Sequence, residues 1–215
     1  MKIWCATGNP GKLREFRLAG ELLNVEVEAL PDLRSIPAPE ETGATFEENA
    51  RLKAAYYSQF APGLLFADDS GLVVDALGGE PGVYSARYAG EHATDEANNR
   101  LVLDRLGDKP DRTARFVCVI AMAKGGDVVE TFRGEVEGEL LREARGPAGF
   151  GYDPLFYFAP FCCSFGEVDG EKKFGVSHRG NAARAMMAWL RGAGDGASRQ
   201  LAARQASSND AADRI

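Results

Sequence analysis

Apolar positions along the 215-residue chain recur with two periods, and the switches between them predict the order of elements. Lys2 to Ala6 reads as a short buried strand, followed by the loop Thr7-Gly8-Asn9-Pro10-Gly11-Lys12. Leu13, Phe16, Leu22 and Leu23 then recur at helical spacing, predicting a helix with these residues on its inner side. Val25, Val27 and Ala29 alternate with Glu26 and Glu28, the period of a half-exposed strand. Residues 31–44 form a loop rich in Pro, Glu and Gly. Thr45 and Glu48 make a capping box that opens a helix to about Gln59, with Phe46, Ala50, Ala54 and Tyr57 on one face. Leu64 to Ala67 is a second buried strand ending in Asp68-Asp69-Ser70-Gly71, and a shorter strand lies around Val73 to Asp75. Thr94 caps another helix, with Asp95 and Glu96 in its first turn, where the helix dipole favours acids. Arg115 to Ala123 and Val128 to Glu135 pair as a hairpin around Gly125-Gly126-Asp127, and Val136 to Leu141 extends that sheet. Ser177 caps a last helix reaching about Arg191. From Gly192 the chain has little aliphatic content, so 1–191 reads as a single domain and 192–215 as a flexible tail. Interleaved helices and strands with antiparallel additions place the fold in the α/β class, with a mixed sheet.

Composition narrows the partners. Hydrophobic residues make up 45% and charged residues 27%, an ordinary globular balance that excludes wholesale disorder. No apolar run approaches the roughly 20 residues of a membrane-spanning helix, and the N-terminus meets a Gly-Asn-Pro-Gly loop too early for a signal peptide. Net charge is −7, from 25 basic and 32 acidic residues, which argues against a nucleic-acid polymer as ligand. A small anion remains compatible, because a few lysines can build a local positive site in an acidic protein. Cys5, Cys118, Cys162 and Cys163 form no CxxC motif, and with two histidines a structural zinc site is not expected. Free thiols and a cytoplasmic location are the expectation.

Five groups carry candidate chemistry. Thr7 to Lys12 lies between a strand and a helix, where glycines allow close backbone approach, a helix N-terminus offers N–H groups and Lys12 adds charge. It is not a Walker A loop, since Leu13 stands where Ser or Thr would hold magnesium; by itself it is equally an ordinary Asn-Pro turn. Glu40-Glu41 and Asp68-Asp69 are hard oxygen donors of the kind that suit magnesium shared with substrate phosphates. The aspartates are expected at the carboxyl end of a strand, where open α/β sheets place ligands. Lys53, and Arg87 within Tyr84-Ser85-Ala86-Arg87-Tyr88, read alone as solvated surface. Gly149-Phe150-Gly151-Tyr152-Asp153-Pro154 can lay an aromatic against a planar ring, with Asp153 able to accept from a base or sugar. Lys173 and Ser177-His178-Arg179-Gly180 gather donors that favour keto oxygens or anions.

Taken together, the stretches ATGNPGK, EETGATFEENARLKA, ADDSGLVVDALGGEPGVYSARYAG, GFGYDPLF and KKFGVSHRG resemble, in that order, the Ham1-like inosine-triphosphate pyrophosphatase family, over Met1 to about Leu190. The resemblance implies an elongated mixed sheet in two lobes with the site in the cleft between them, and a magnesium-dependent homodimer. It implies hydrolysis of non-standard purine triphosphates (ITP, dITP, XTP) to monophosphate and pyrophosphate, which cleanses the nucleotide pool. By the same resemblance Thr7, Gly8, Asn9, Pro10, Gly11, Lys12 and Lys53 meet phosphates, and Ser70 touches substrate. Asp69 is the catalytic acid, sharing the metal with Glu40 or Glu41. Phe150, Gly151, Tyr152, Asp153, Lys173, His178 and Arg179 form the base end. The sequence departs from the family at Asn181, where Lys or Gln is commoner, and at Phe161 to Gly166, which is expected to alter the pocket wall. Two rivals remain: a Maf-like pyrophosphatase for modified pyrimidine nucleotides, and a nucleotide-binding module without turnover, against which the intact acid set counts.

Overall fold

The computed structural model describes residues 1–22 and 24–192, and Leu23 and the expected tail from residue 193 onward lie outside them. Seven strands form one mixed sheet: β1 (Lys2–Cys5), β2 (Glu26–Ala29), β3 (Leu65–Val74), β4 (Thr113–Lys124), β5 (Asp127–Leu140), β6 (Phe156–Phe158) and β7 (Cys163–Ser164). Their order is β2-β1-β3-β4-β5-β6-β7, parallel for the β2-β1-β3 pairs and antiparallel from β3 onward. The helices are α1 (Pro10–Glu21), α2 (Phe46–Ser58), α3 (Asp95–Leu106), α4 (Gly170–Phe174) and α5 (178–192). Thr45 and Glu48 close the capping box of α2, Thr94 caps α3, and the Gly180 N–H donates to Ser177 Oγ at 3.1 Å at the start of α5. Gly125 and Gly126 both have positive φ, as a two-residue turn between β4 and β5 requires.

Three apolar clusters hold these elements. On one face of the sheet α1 and α5 cover Ile3, Cys5, Phe66, Cys118 and Ile120 with Phe16, Ala183, Met186 and Leu190. On the other face, Phe46, Ala50, Ala54 and Tyr57 of α2 cover Leu65, Ala67, Val117, Val119 and Ala121. The third cluster fills the far end, where Leu72, Val74, Phe116, Phe156 and Phe165 pack with Val102 and Leu106 of α3. Each fully buried aliphatic or aromatic side chain here contributes about 1.5–3 kcal/mol relative to exposure.

Two expectations change. Leu22 follows the end of α1 and is exposed, so the inner face of that helix is Phe16, Ala19 and Gly20. The segments expected as two strands around Asp68 and Val73 are one ten-residue strand, β3, because β4 pairs with all of it from Leu65 to Val74. Asp68 and Asp69 therefore sit within a strand and not at its end. β1 stops opposite Phe66, however, and β3 meets its next neighbour on that side at Leu72, whose N–H reaches Ser85 Oγ. The acids lie on this unpaired stretch of sheet edge, where a ligand can approach.

Candidate active site

Successive strand residues point to opposite faces, so the adjacent acids serve different surroundings. Asp68 shares its face with Phe66 and Ser70, over α1 and α5. Its Oδ2 lies 2.8 Å from Lys12 Nζ and 3.8 Å from Arg179 Nε, and accepts from Ser70 Oγ at 3.2 Å. Burial alone raises its carboxyl, but Lys12, Arg179 and Lys53 outweigh that and hold it at about 2. Asp69 points to the α2 face, where Lys53 Nζ stands 2.8 Å from Oδ1 and the buried Asn49 amide donates to Oδ2 at 3.4 Å. Here burial wins over Lys53, and the carboxyl titrates above the ordinary aspartate value. Two neighbouring aspartates are thus pushed in opposite directions, one locked as an anion and one made more basic.

Lys53 also lies 3.1 Å from Glu41 Oε1, and Arg87 lies 3.0 Å from Glu41 Oε2. Burial raises the Glu41 carboxyl, yet Lys53 and Arg87 bring it below its usual range. Glu40 is exposed and has no ion pair among the described residues. Glu41 and Asp69 thus flank one ammonium, while the described residues contain no ready cage of three or more ligating side chains. That pattern fits magnesium, which takes one or two protein carboxylates and completes its shell with phosphates and water.

The loop before α1 differs from expectation. Its helix N–H groups are not free: Asn9 Oδ1 accepts from Gly11 N at 2.8 Å and from Lys12 N at 3.2 Å, because Asn is a preferred N-cap side chain. Thr7 Oγ1 in turn accepts from Asn9 N at 3.2 Å, and Gly8 and Pro10 complete the turn. The positive charge this loop offers is that of Lys12.

Beyond Ser70 a pocket opens, lined by Lys12, Asp95, Phe116, Phe150, Gly151, Tyr152, Asp153, Lys173, His178 and Arg179. The Phe150 ring has Lys173 Nζ 4.8 Å and Arg179 Cζ 5.4 Å from its centroid, a cation–π arrangement. Asp153 is not free to meet a ligand with Oδ2, which accepts from Lys173 Nζ at 2.6 Å and from Phe150 N at 2.9 Å. Tyr152 donates its hydroxyl to Ser85 O at 2.8 Å. His178 stacks on Phe116 at 4.8 Å and 17°; burial, with Arg179 and Lys173 nearby, keeps its imidazole neutral. His178 Nδ1 and Arg179 Nε are buried without a hydrogen-bond partner. Arg179 also donates to Ser70 Oγ at 2.9 Å and pairs with Glu15.

Glu15 and Asn49 escaped the sequence reading, and Arg87, which reads alone as solvated surface, is paired with Glu41. Glu15 pairs with both Lys173, at 3.2 Å, and Arg179. Its signal was the i,i+3 spacing from Lys12, which puts both on one side of α1. Phe161 to Gly166 does not line the pocket: Phe165 supports Phe116 from behind, and Cys162 is exposed. Asn181 is occupied structurally, donating to Glu135 O at 2.7 Å.

The profile of the Ham1 family matches residues 3–189. A dITP/XTP pyrophosphatase of Acidobacterium capsulatum is 47% identical over 201 residues, covering 89% of this chain and 99% of that protein. One from Listeria monocytogenes is 48% identical, covering 84% and 90%. Among solved structures, the Staphylococcus aureus Ham1 protein superposes with a TM-score of 0.80 at 42% identity, covering 89% of this chain and 99% of that one. A HAM1 protein from Coxiella burnetii gives 0.80 at 39%, covering 89% and 98%. With the profile spanning nearly all of the described chain and these relatives matching it end to end, the chain belongs to the Ham1 family.

Proposed function

We propose that this chain hydrolyses non-standard purine nucleoside triphosphates (dITP, ITP and XTP) to the monophosphate and pyrophosphate. The observation that carries the reading is the opposed pair Asp68 and Asp69 at an open sheet edge, between two lysines and a pocket of aromatic and cationic side chains. The dITP/XTP pyrophosphatases that match the chain support the substrate class.

In this mechanism Asp69 accepts the proton of a water that attacks the α-phosphorus, from a position beside Lys53 and at the open sheet edge. Lys12 and Lys53 exchange their carboxylate partners for phosphate oxygens and stabilise the departing pyrophosphate. Glu41 and Asp69 would hold magnesium, and Glu40 would not be needed for that role. Magnesium, when bound, neutralises phosphate charge and polarises the reacting phosphorus. At the other end Phe150 stacks on the base, and Arg179, Lys173 and His178 address its O6. Adenine presents an amino group there, which would leave buried donors unpaired; sites of this kind discriminate by up to roughly 10⁴–10⁵.

Four free cysteines support work in a reducing compartment, and the resemblance supports a homodimer in the cytoplasm. No helix among the described residues is long and apolar enough to cross a membrane. The test is product analysis with magnesium and ITP, dITP, XTP, ATP, GTP and dUTP in parallel. Monophosphate plus pyrophosphate from the first three alone is expected. Orthophosphate, or indifference to the base, refutes the reading.

A further inference from the structure

The base loop holds its shape without belonging to a helix or strand. Residues 149–155 are turns and bends, Gly149 and Gly151 have positive φ, and Phe150 lies against Gly11 at the start of α1. What fixes such a segment is where its backbone polar groups go. At Gly151 both go to α3: its N–H donates to Asp95 Oδ2 at 2.6 Å, and its C=O accepts from Asn99 Nδ2 at 3.0 Å. Asp95 and Asn99 stand four residues apart, so one face of the first turns of α3 grips both polar groups of a single peptide position.

α3 is in turn well anchored. Thr94 caps it, Val102 and Leu106 are buried in the third cluster, and Asn98 ties its start to the preceding turn through Ala89 N and Ala86 O. Tyr152, the next residue of the loop, is tied through Ser85 O to that same turn. The loop is thus held from two sides: Asp153 joins the Phe150 N–H to Lys173 of α4, and α3 with Gly82–Arg87 holds Gly151 and Tyr152.

We infer that Asp95 and Asn99 are positioning residues for base selection, clamping Gly151 so that Phe150 stays in register with Arg179 and Lys173. This rests on the proposed reading of the pocket as a purine site. Neither residue is asked to touch the reacting phosphates. Loosening the clamp lets the ring drift away from the donors that address O6. A base stacked on a drifting ring no longer holds its O6 against those donors, so ITP loses stacking and O6 contacts together, whereas ATP loses stacking alone and changes less.

The test compares N99D, N99A, D95A and D95N with the wild type, using ITP and ATP as substrates in magnesium. N99D keeps the size of the side chain but sets a carboxylate oxygen against the Gly151 carbonyl. A packing role would be preserved in N99D, whereas the clamp is broken. Expected is a KM for ITP raised about tenfold in N99D and D95A, the scale of one lost hydrogen bond, with kcat within about twofold. The ratio of kcat/KM for ITP over ATP falls severalfold, and D95N, which retains an acceptor for Gly151 N–H, recovers most of it. N99D with a wild-type KM, or N99D and D95A losing kcat at unchanged KM, overturns the inference. Should N99D fail to fold, as its melting curve would show, N99A decides, with a raised KM for ITP expected and a wild-type KM overturning the inference, because Asn99 is not a lining residue whereas Asp95 also lines the pocket. A wild-type enzyme that releases no pyrophosphate from ITP sinks the underlying reading instead, which separates the two failures.

Discussion

Replacing Glu15 by Gln isolates the charge balance beneath the pocket. Lys12, Lys173 and Arg179 face Asp68, Asp153 and Glu15 there, three cations against three carboxylates. Arg179 and Lys173 are almost wholly buried, and Glu15 retains 12% exposure. Removing one partner of a buried ion pair costs about 3–5 kcal/mol, because the remaining charge stays out of water. Gln keeps an oxygen that one N–H can use, and water reaches position 15, so the expected loss is about 2–3 kcal/mol. Against a domain stability on the order of 5–15 kcal/mol that is a large fraction. Urea unfolding at pH 7.5 measures it as a lower midpoint with an unchanged slope. E47Q is the control: Glu47 pairs with Arg51 at 3.8 Å with both side chains about half exposed, and its loss is expected to stay below about 0.5 kcal/mol. The pH dependence has a definite sign. Burial raises the Glu15 carboxyl, but Arg179 and Lys173 bring it below its ordinary value. Its contribution is present above the unfolded value of about 4.3 and is lost as pH falls through the lower folded value. The gap between wild type and E15Q therefore narrows in acid. A loss under about 0.5 kcal/mol at pH 7.5, or a gap that widens in acid, would refute the charge argument.

Three further outcomes are open to direct measurement. D69N is expected to slow pyrophosphate release from ITP by roughly 10²–10⁴, the usual scale for a general base, while a near-normal rate removes Asp69 from the mechanism. R179A is expected to erode the preference for ITP over ATP, measured as the ratio of kcat/KM, and an unchanged ratio contradicts the O6 account. G71A places a methyl 2.2 Å from Ser85 Oγ and 2.6 Å from the Gly82 carbonyl oxygen, and should cost about 1–3 kcal/mol in thermal unfolding. G8A, with no atom within 4 Å of the added methyl, should change stability by less than about 0.5 kcal/mol.

Local signals carried far along this chain. The capping box at Thr45 and Glu48, the inward face of α2 and the Gly125-Gly126 turn depend on neighbours within a few residues, and each stands as the pattern predicts. β3 was harder, since Asp68-Asp69-Ser70-Gly71 reads locally as a polar break. Only its pairing with β4, some fifty positions away, and the ammonium and guanidinium groups that meet the acids keep it extended. Arg87 was misread and Glu15 missed for a related reason. A charged residue reads as solvated until the fold brings a buried partner to it, and Glu41 and Arg179 are 46 and 164 positions away. Asn9 shows the converse, because a residue suited to touching a ligand was also the best available cap for its own helix.

The link between Glu15 and Arg179 spans 164 positions, nearly the whole described chain. During synthesis, α1 leaves the ribosome long before its partner in α5 exists. Until residue 179 emerges, Glu15 lacks its guanidinium and Asp68 has Lys12 as its principal counter-charge. A nucleotide pocket of this design cannot be borne by a fragment. Truncation anywhere before α5 removes Arg179 together with the apolar face formed by Ala182, Ala183, Met186 and Met187. Premature termination late in the message should therefore yield an inactive chain exposing a hydrophobic sheet face, which quality-control proteases can recognise, and not a partly working enzyme.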